Sequence, residues 1–336
     1  ATMTSVMICL KIAFYEAKIL LRSWGFRIFA LLSLVILGLL TAGIAAPSFF
    51  FPYYLRSLSG SIPLFSFKLF NIYQGIIVVF MATEFFKRDR RTDSIQVIFS
   101  RSFSNTSYIL GKFLGILGLF ILLNMAIGLI TALIHLFVST APFSLKAYFL
   151  YFLILNLPTL LFLIGLSFVL GMTVRSQGTV VILGLTLSAL SLSILGNRAY
   201  FIPDIFGFYT PLMYSDFVGL GNNTQLLSLR LPYVLLGLGL VFGTVLLAKR
   251  LWQSPWITVL SGTLSVIFIL SAVGLMLSHI RASRDFDTLR RDLVATSNKH
   301  TETVSLSMES CSLDLEFDAN TLSVVSEIRL INDQEK

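Results

Sequence analysis

Seven apolar runs, each near the length that crosses a bilayer, dominate this chain and limit what it can fold into. They cover residues 26–45, 62–86, 108–138, 147–174, 178–195, 231–248 and 256–277. A helix needs roughly 20 predominantly apolar residues to span the hydrocarbon. In lipid each backbone N–H and C=O has to be satisfied inside the structure, so such runs form helices. Composition agrees: 12% of residues are charged, against about 25% in soluble domains. The expected fold is an all-α polytopic membrane protein with about seven transmembrane helices. Pro158, inside the fourth run, predicts a kink. The sixth run is short and glycine-rich; if it fails to span, the C-terminus changes sides.

Cationic residues set the orientation. With the N-terminus cytoplasmic, the inner flanks collect Lys11, Lys18, Arg22, Arg27, Lys87, Arg88, Arg90, Arg91, Arg101, Lys112, Arg175, Lys249 and Arg250. The outer loops hold only Arg56, Lys68, Lys146, Arg198 and Arg230. Seven spans then leave the C-terminus outside, although Arg281, Arg284, Arg290 and Arg291 follow the last span there, mixed with Asp285, Asp287 and Asp292. The net charge of +8 fits topology and anionic headgroups better than nucleic acid, because it gathers beside apolar runs. Cys9 and Cys311 fall on opposite sides of the membrane, so no disulfide is expected.

Ahead of the first span, Lys11, Tyr15, Lys18 and Arg22 recur at i, i+4, i+7 and i+11 and share one helical face. Ile8, Ile12 and Ile19 lie away from it. Residues 1–24 read as an interfacial amphipathic helix with its apolar side in the acyl boundary, or more plainly as a cytoplasmic lead-in. The outer segment 197–232 is rich in aromatics, including Tyr200, Phe206 and Tyr209, and predicts short helices lying at the outer interface. Beyond 278 the composition changes. Residues 281–298 are charged and read as a short helix or linker. Then Leu313, Leu315 and Phe317 alternate, Asp318-Ala319-Asn320 signals a turn, and Ile328 and Leu330 alternate again. That is a β-hairpin. A lone hairpin is marginal in water. The tail is therefore expected to begin a larger extracytoplasmic β-domain or to pair with a partner, and the chain to continue past Lys336.

Catalytic constellations are missing from the sequence. Gly111-Lys112 lacks the upstream glycine of a phosphate loop. There is no His-Glu-x-x-His, and His135, His279 and His300 stand apart, so no metal site and no enzyme is expected. Buried carboxylates, which an ion-coupled carrier needs, are nearly absent from the runs. Polar side chains do recur within them: Asn71 and Gln74, three apart on one helix face, Asn124 and Asn156. These either bond helix to helix or line a substrate cavity.

The remaining feature is the internal stretch EFFKRDRRTDSIQVIFSRSFSNTSYILGK from Glu84 to Lys112. Basic residues anchor the end of the second run. Thr92 or Asp93 caps a short helix over 92–99. Ile95, Ile98 and Phe99 form an apolar knob on it. Ser104-Asn105-Thr106 caps the third span. An exposed apolar knob held under a membrane fits a groove on a cytoplasmic partner, or folds back on the headgroups.

The order of interfacial helix, first span, second span ending in Glu84 and basic residues, short helix, and third span opening Tyr-Ile-Leu-Gly-Lys (Tyr108 to Lys112) resembles the permease subunit of a type 2 ABC exporter. The resemblance covers roughly residues 5–250. It implies that 92–99 is the coupling helix, with Ile95, Ile98 and Phe99 supplying packing and Arg90, Arg91 and Asp93 register against an ATP-binding subunit. It implies that the N-terminal helix is an elbow. It also implies a second permease copy or paralogue, ATP and magnesium held by the partner subunit with no cofactor on this chain, and a bacterial inner-membrane location. The plain family has six spans; the seventh span with an outside tail departs from it. The tail is similar to the opening strands in chains that fuse such a permease to a zinc aminopeptidase-like module, and immunoglobulin-like domains begin in much the same way. On this reading 25–278 is the transmembrane domain and 279–336 the extracytoplasmic linker and first strands. The competing reading is a membrane anchor that displays a β-domain and transports nothing.

Overall fold

The computed structural model describes residues 2–46, 58–89, 104–174, 176–221, 223–248, 255–301, 306–318 and 321–332. Among them, seven helices are long and apolar enough to cross a membrane. The chain divides into two units, 1–280 and 281–336.

In the first unit, α1 (Thr2–Arg22) precedes the spans. α2 (Trp24–Ala45) is the first span, and the Ser23 hydroxyl caps it by accepting from Phe26 N–H at 3.3 Å. α3 (Ser61–Asp89) is the second. α4 (Asn105–Val138) is the third; the Ser104 hydroxyl accepts from Ser107 N–H at 3.1 Å, so the capping signal before Tyr108 is real. The fourth span is built in three pieces: α5 (Leu145–Tyr151), a π-helical turn (Phe152–Asn156) and α6 (Leu157–Thr173). The distortion expected at Pro158 thus lies one turn ahead of it. A proline has no N–H to give the carbonyl four residues back, and the π turn occupies that stretch.

α7 (Gln177–Leu190) is the fifth span, extended by a second π turn, Ser191–Leu195. α8 (Asn223–Leu247) is the sixth. It begins eight residues before the apolar run, so 223–230 are helix and not outer loop. Its glycines explain how it fits. A methyl on Gly237 would lie 2.5 Å from the Leu161 carbonyl, and one on Gly165 2.6 Å from the Gly237 carbonyl. α6 and α8 therefore touch backbone to backbone, as small residues allow between membrane helices.

The aromatic segment between α7 and α8 does not form interfacial helices of any length. It makes one left-handed turn at Ala199–Phe201 (φ 46°, 57° and 66°) and then dives inward. Ile205 and Phe206 are buried. Gly75 on α3 leaves the room that the Phe206 ring fills. The main core gathers Phe70, Phe120, Ile116, Leu163, Ile164, Phe168 and Phe206 from α3, α4, α6 and this segment.

α9 runs unbroken from Pro255 to Thr301, so the charged stretch 281–298 is helix rather than linker. In the second unit, β1 (Leu306–Asp318) pairs antiparallel with β2 (Thr321–Asn332). Leu315 opposes Val324 and Phe317 opposes Leu322, with a register shift between Met308 and Ser310. Directly opposed residues share a face. One face is apolar through Leu313, Leu315, Phe317, Leu322, Val324 and Ile328, all exposed. The hairpin is present; a larger β-domain is not among the described residues.

Candidate functional site: a buried polar chain and the seat of the N-terminal helix

The four polar residues of the spans converge. Asn71, Gln74, Asn124 and Asn156 are each 0% exposed. Asn156 Nδ2 donates to Asn124 Oδ1 at 2.6 Å. Asn124 Nδ2 donates to Gln74 Oε1 at 2.8 Å, and Gln74 Nε2 to Asn71 Oδ1 at 2.8 Å. Asn71 Nδ2 closes the chain on the Phe206 carbonyl (2.7 Å) and Thr159 Oγ1 (2.9 Å). The second, third and fourth spans and the inward segment are tied by one donor-to-acceptor relay. Three apart on α3, Asn71 and Gln74 face the same way, as their spacing predicts. Asn124 also borders a cavity, which opens between α4 and α5.

Beside this chain lies Arg230, 2% exposed. It is no outer-loop charge. Its Nε donates to the Ile154 carbonyl at 3.0 Å, to which Pro158, four residues on, has no N–H to give. Nη2 reaches the Leu155 carbonyl (2.8 Å) and Thr159 Oγ1 (3.0 Å). Nη1 reaches the carbonyls of Asp204 (2.9 Å) and Ile205 (3.1 Å). Arginine suits the position because its fork presents several rigid donors at once. The Asp204 carboxylate turns the other way. It accepts from the N–H groups of Phe208, Tyr209 and Thr210 at 2.8–2.9 Å. Lys68 Nζ donates to the Phe208 carbonyl at 2.9 Å. The histidines read as isolated have partners too. His135 Nδ1 shares a hydrogen bond with the Tyr148 hydroxyl (3.1 Å), and His279 Nδ1 with the Ser228 hydroxyl (2.8 Å).

The arrangement closes helices on one another. The relay links amide groups and neutral acceptors, and it holds no carboxylate to carry a proton. No group of three His, Cys, Asp or Glu side chains fit to hold a metal occurs among the described residues.

No family model and no curated protein matches the chain.

A second convergence lies where α1 meets the start of α4. A methyl on Gly111 would fall 2.8 Å from Ile12, and one on Gly115 2.6 Å from the Ala13 carbonyl. Next to this contact the Lys112 ammonium meets the Glu16 carboxylate at 3.1 Å, with side chains 5% and 4% exposed. The same ammonium lies 5.2 Å from the centre of the Tyr108 ring. The Tyr108-to-Lys112 phrase is thus the seat of α1. Ile12 packs on α4 rather than in the acyl boundary, which corrects part of the interfacial reading. Lys11, Tyr15, Lys18 and Arg22 are exposed together, as their spacing requires. A separate exposed stripe holds Met7, Leu10, Phe14 and Leu21, so the helix has a packed, a basic and an apolar face. Burial pushes the Cys9 thiol pKa up.

The segment 92–99, with Arg90, Arg91, Asp93, Ile95, Ile98 and Phe99, lies outside the described residues. Two residues of these contacts escaped the reading of the sequence, Glu16 and Arg230. Glu16 had a signal, being the only acidic residue ahead of Glu84. Arg230 had one as well, standing between Leu229 and Leu231 in an apolar stretch.

Proposed function

We propose that the chain is the permease subunit of an ATP-driven exporter. It works with a separate ATP-binding subunit and a second permease copy or paralogue, in a bacterial inner membrane with its N-terminus cytoplasmic. The supporting observation is the seat of α1 on α4. Segment 92–99 lies six residues ahead of α4 in the sequence, and α4 carries α1 through Gly111, Gly115 and the Glu16–Lys112 pair. A push delivered to 92–99 would therefore move α4 and α1 as one body. Such a push does work only if the two nucleotide states of the partner bind the two permease states with different free energies.

Purification of the tagged chain in mild detergent, with mass spectrometry of what accompanies it, tests the reading. The expected result is a P-loop ATPase in stoichiometric amount, lost when Ile95 and Phe99 are made charged. Phe99→Asp alone is expected to uncouple ATP hydrolysis from transport while the membrane fold persists; unchanged transport in that variant would sink the assignment. The competing reading, an anchor that displays a β-domain, draws on the relay itself, whose polar groups are spent on one another, and on the hairpin's unpartnered apolar face. A folded chain recovered without any ATPase would favour it.

A further inference from the structure

The cavity that Asn124 borders has a volume of about 520 Å³, within the range of ligand sites. It is a trough in α4 rather than a gap between rigid walls. Gly128 and Ala132, one turn apart, leave the bottom bare, and Phe67 of α3 closes it from below. Phe149 and Phe152 stand on the α5 side and Met125 and Leu129 on the other. Leu129 and Phe149 are 61% and 60% exposed, so the trough is open along its length to whatever surrounds the spans. At the end nearest the turn between α4 and α5, Lys146 lines it and is itself exposed. Lys146 makes no hydrogen bond or ion pair among the described residues.

We infer that this trough binds one acyl chain of a lipid with a net negative headgroup, and that the Lys146 ammonium holds the headgroup. A mostly apolar trough bordered by a single cation, Lys146, matches the two parts of such a lipid. A lysine near a span end keeps its stem in the apolar layer and its ammonium among headgroups. Met125 adapts its shape to a mobile chain. A second copy of this chain fits less well. In a two-fold contact through the trough each Lys146 would face the partner's trough, and the lining holds no acidic residue. The inference does not depend on an ATPase partner.

The full chain, reconstituted in lipid nanodiscs, is irradiated with phosphatidylglycerol carrying a diazirine in its acyl chain, and labelled peptides are mapped. Phosphatidylcholine with the same chain is the control. Phosphatidylglycerol is expected to label 125–132 and 149–152 preferentially. Lys146→Glu should lower that labelling about fivefold, the effect of one surface lysine at an anionic interface, and leave phosphatidylcholine labelling unchanged. Ala132→Phe should empty the trough of both. Because Lys146 is exposed, its variant reports even if Ala132→Phe fails to fold. Equal labelling by both lipids, or no response to Lys146→Glu, would reduce the trough to ordinary lipid contact and overturn the proposal. Disulfide-linked pairs formed by Leu129→Cys in a Cys9→Ser, Cys311→Ser background would assign it to a second copy and overturn it as well.

Discussion

Arg230 ties two backbone segments, the π turn ahead of Pro158 and the inward segment after α7, to α8. Its five hydrogen bonds reach the carbonyls of Ile154, Leu155, Asp204 and Ile205 and the Thr159 hydroxyl. Each acceptor left empty at a buried site costs about 1–3 kcal/mol. The Leu155, Asp204 and Ile205 carbonyls also accept from Asn71 Nδ2, the Gly207 N–H and the Thr159 hydroxyl, so Arg230→Ala should empty chiefly the Ile154 carbonyl and destabilise the first unit by about 1–3 kcal/mol. Arg230→Lys keeps the charge but presents its donors from one point, and should recover only part of the loss. Thermal unfolding in detergent, followed by circular dichroism, reads both. A wild-type midpoint in Arg230→Ala would mean that water or relaxation satisfies these carbonyls and that the guanidinium serves something else. A buried charge in a membrane-spanning helix is ordinarily a functional marker. Here the neighbouring proline and π turn supply a structural reason for it.

Between elements, the contact of α1 with α4 combines close backbone approach with a buried charge pair, and the two terms separate by mutation. Removing one partner of a buried pair leaves an unpaired charge and costs about 3–5 kcal/mol, whereas replacing both with apolar residues is often neutral or better. Glu16→Leu and Lys112→Met should each lower the unfolding midpoint, and the double variant should restore most of it. Additive losses would mean that the pair is solvated and that the glycine contact alone seats the helix. These two elements also show what a sequence discloses. The seven spans were legible because hydropathy is a local property and a run either reaches bilayer length or does not. The basic stripe of α1 was legible because helical period is local too. Which helix α1 packs on was not, because Ile12 and Gly111 meet only through the fold. For the same reason Asn71 and Gln74 could be placed on one face, while their bonds to Asn124 and to the Phe206 carbonyl could not. The aromatic segment was read as interfacial from composition alone, and the space beside Gly75 that admits Phe206 is a three-dimensional fact.

At the scale of the molecule, the number of helices that cross decides where the hairpin stands. If all seven candidate helices cross, as the proposed function requires, Cys9, on α1, and Cys311, on β1, would face opposite sides of the membrane. The apolar face of the hairpin would then look into the outer compartment, where a larger β-domain is proposed to cover it. The two thiols differ in chemistry as well as place. Cys311 is exposed, while Cys9 is half-buried with its pKa raised by desolvation. The thiolate is the reacting species, so at a given pH Cys9 offers a smaller reactive fraction. In right-side-out vesicles a membrane-impermeant maleimide should modify Cys311 and spare Cys9. In inverted vesicles it should modify Cys9, more slowly, with a rate that keeps rising as pH is taken above the range of an ordinary thiol. Modification of both from one side would mean that one run does not cross. The sixth span would be examined first, since α8 carries Pro232, the buried Arg230 and the glycine contact with α6. A hairpin on the cytoplasmic side would also remove the support that the seventh span lends to an extracytoplasmic domain, while leaving the seat of α1 on α4 untouched.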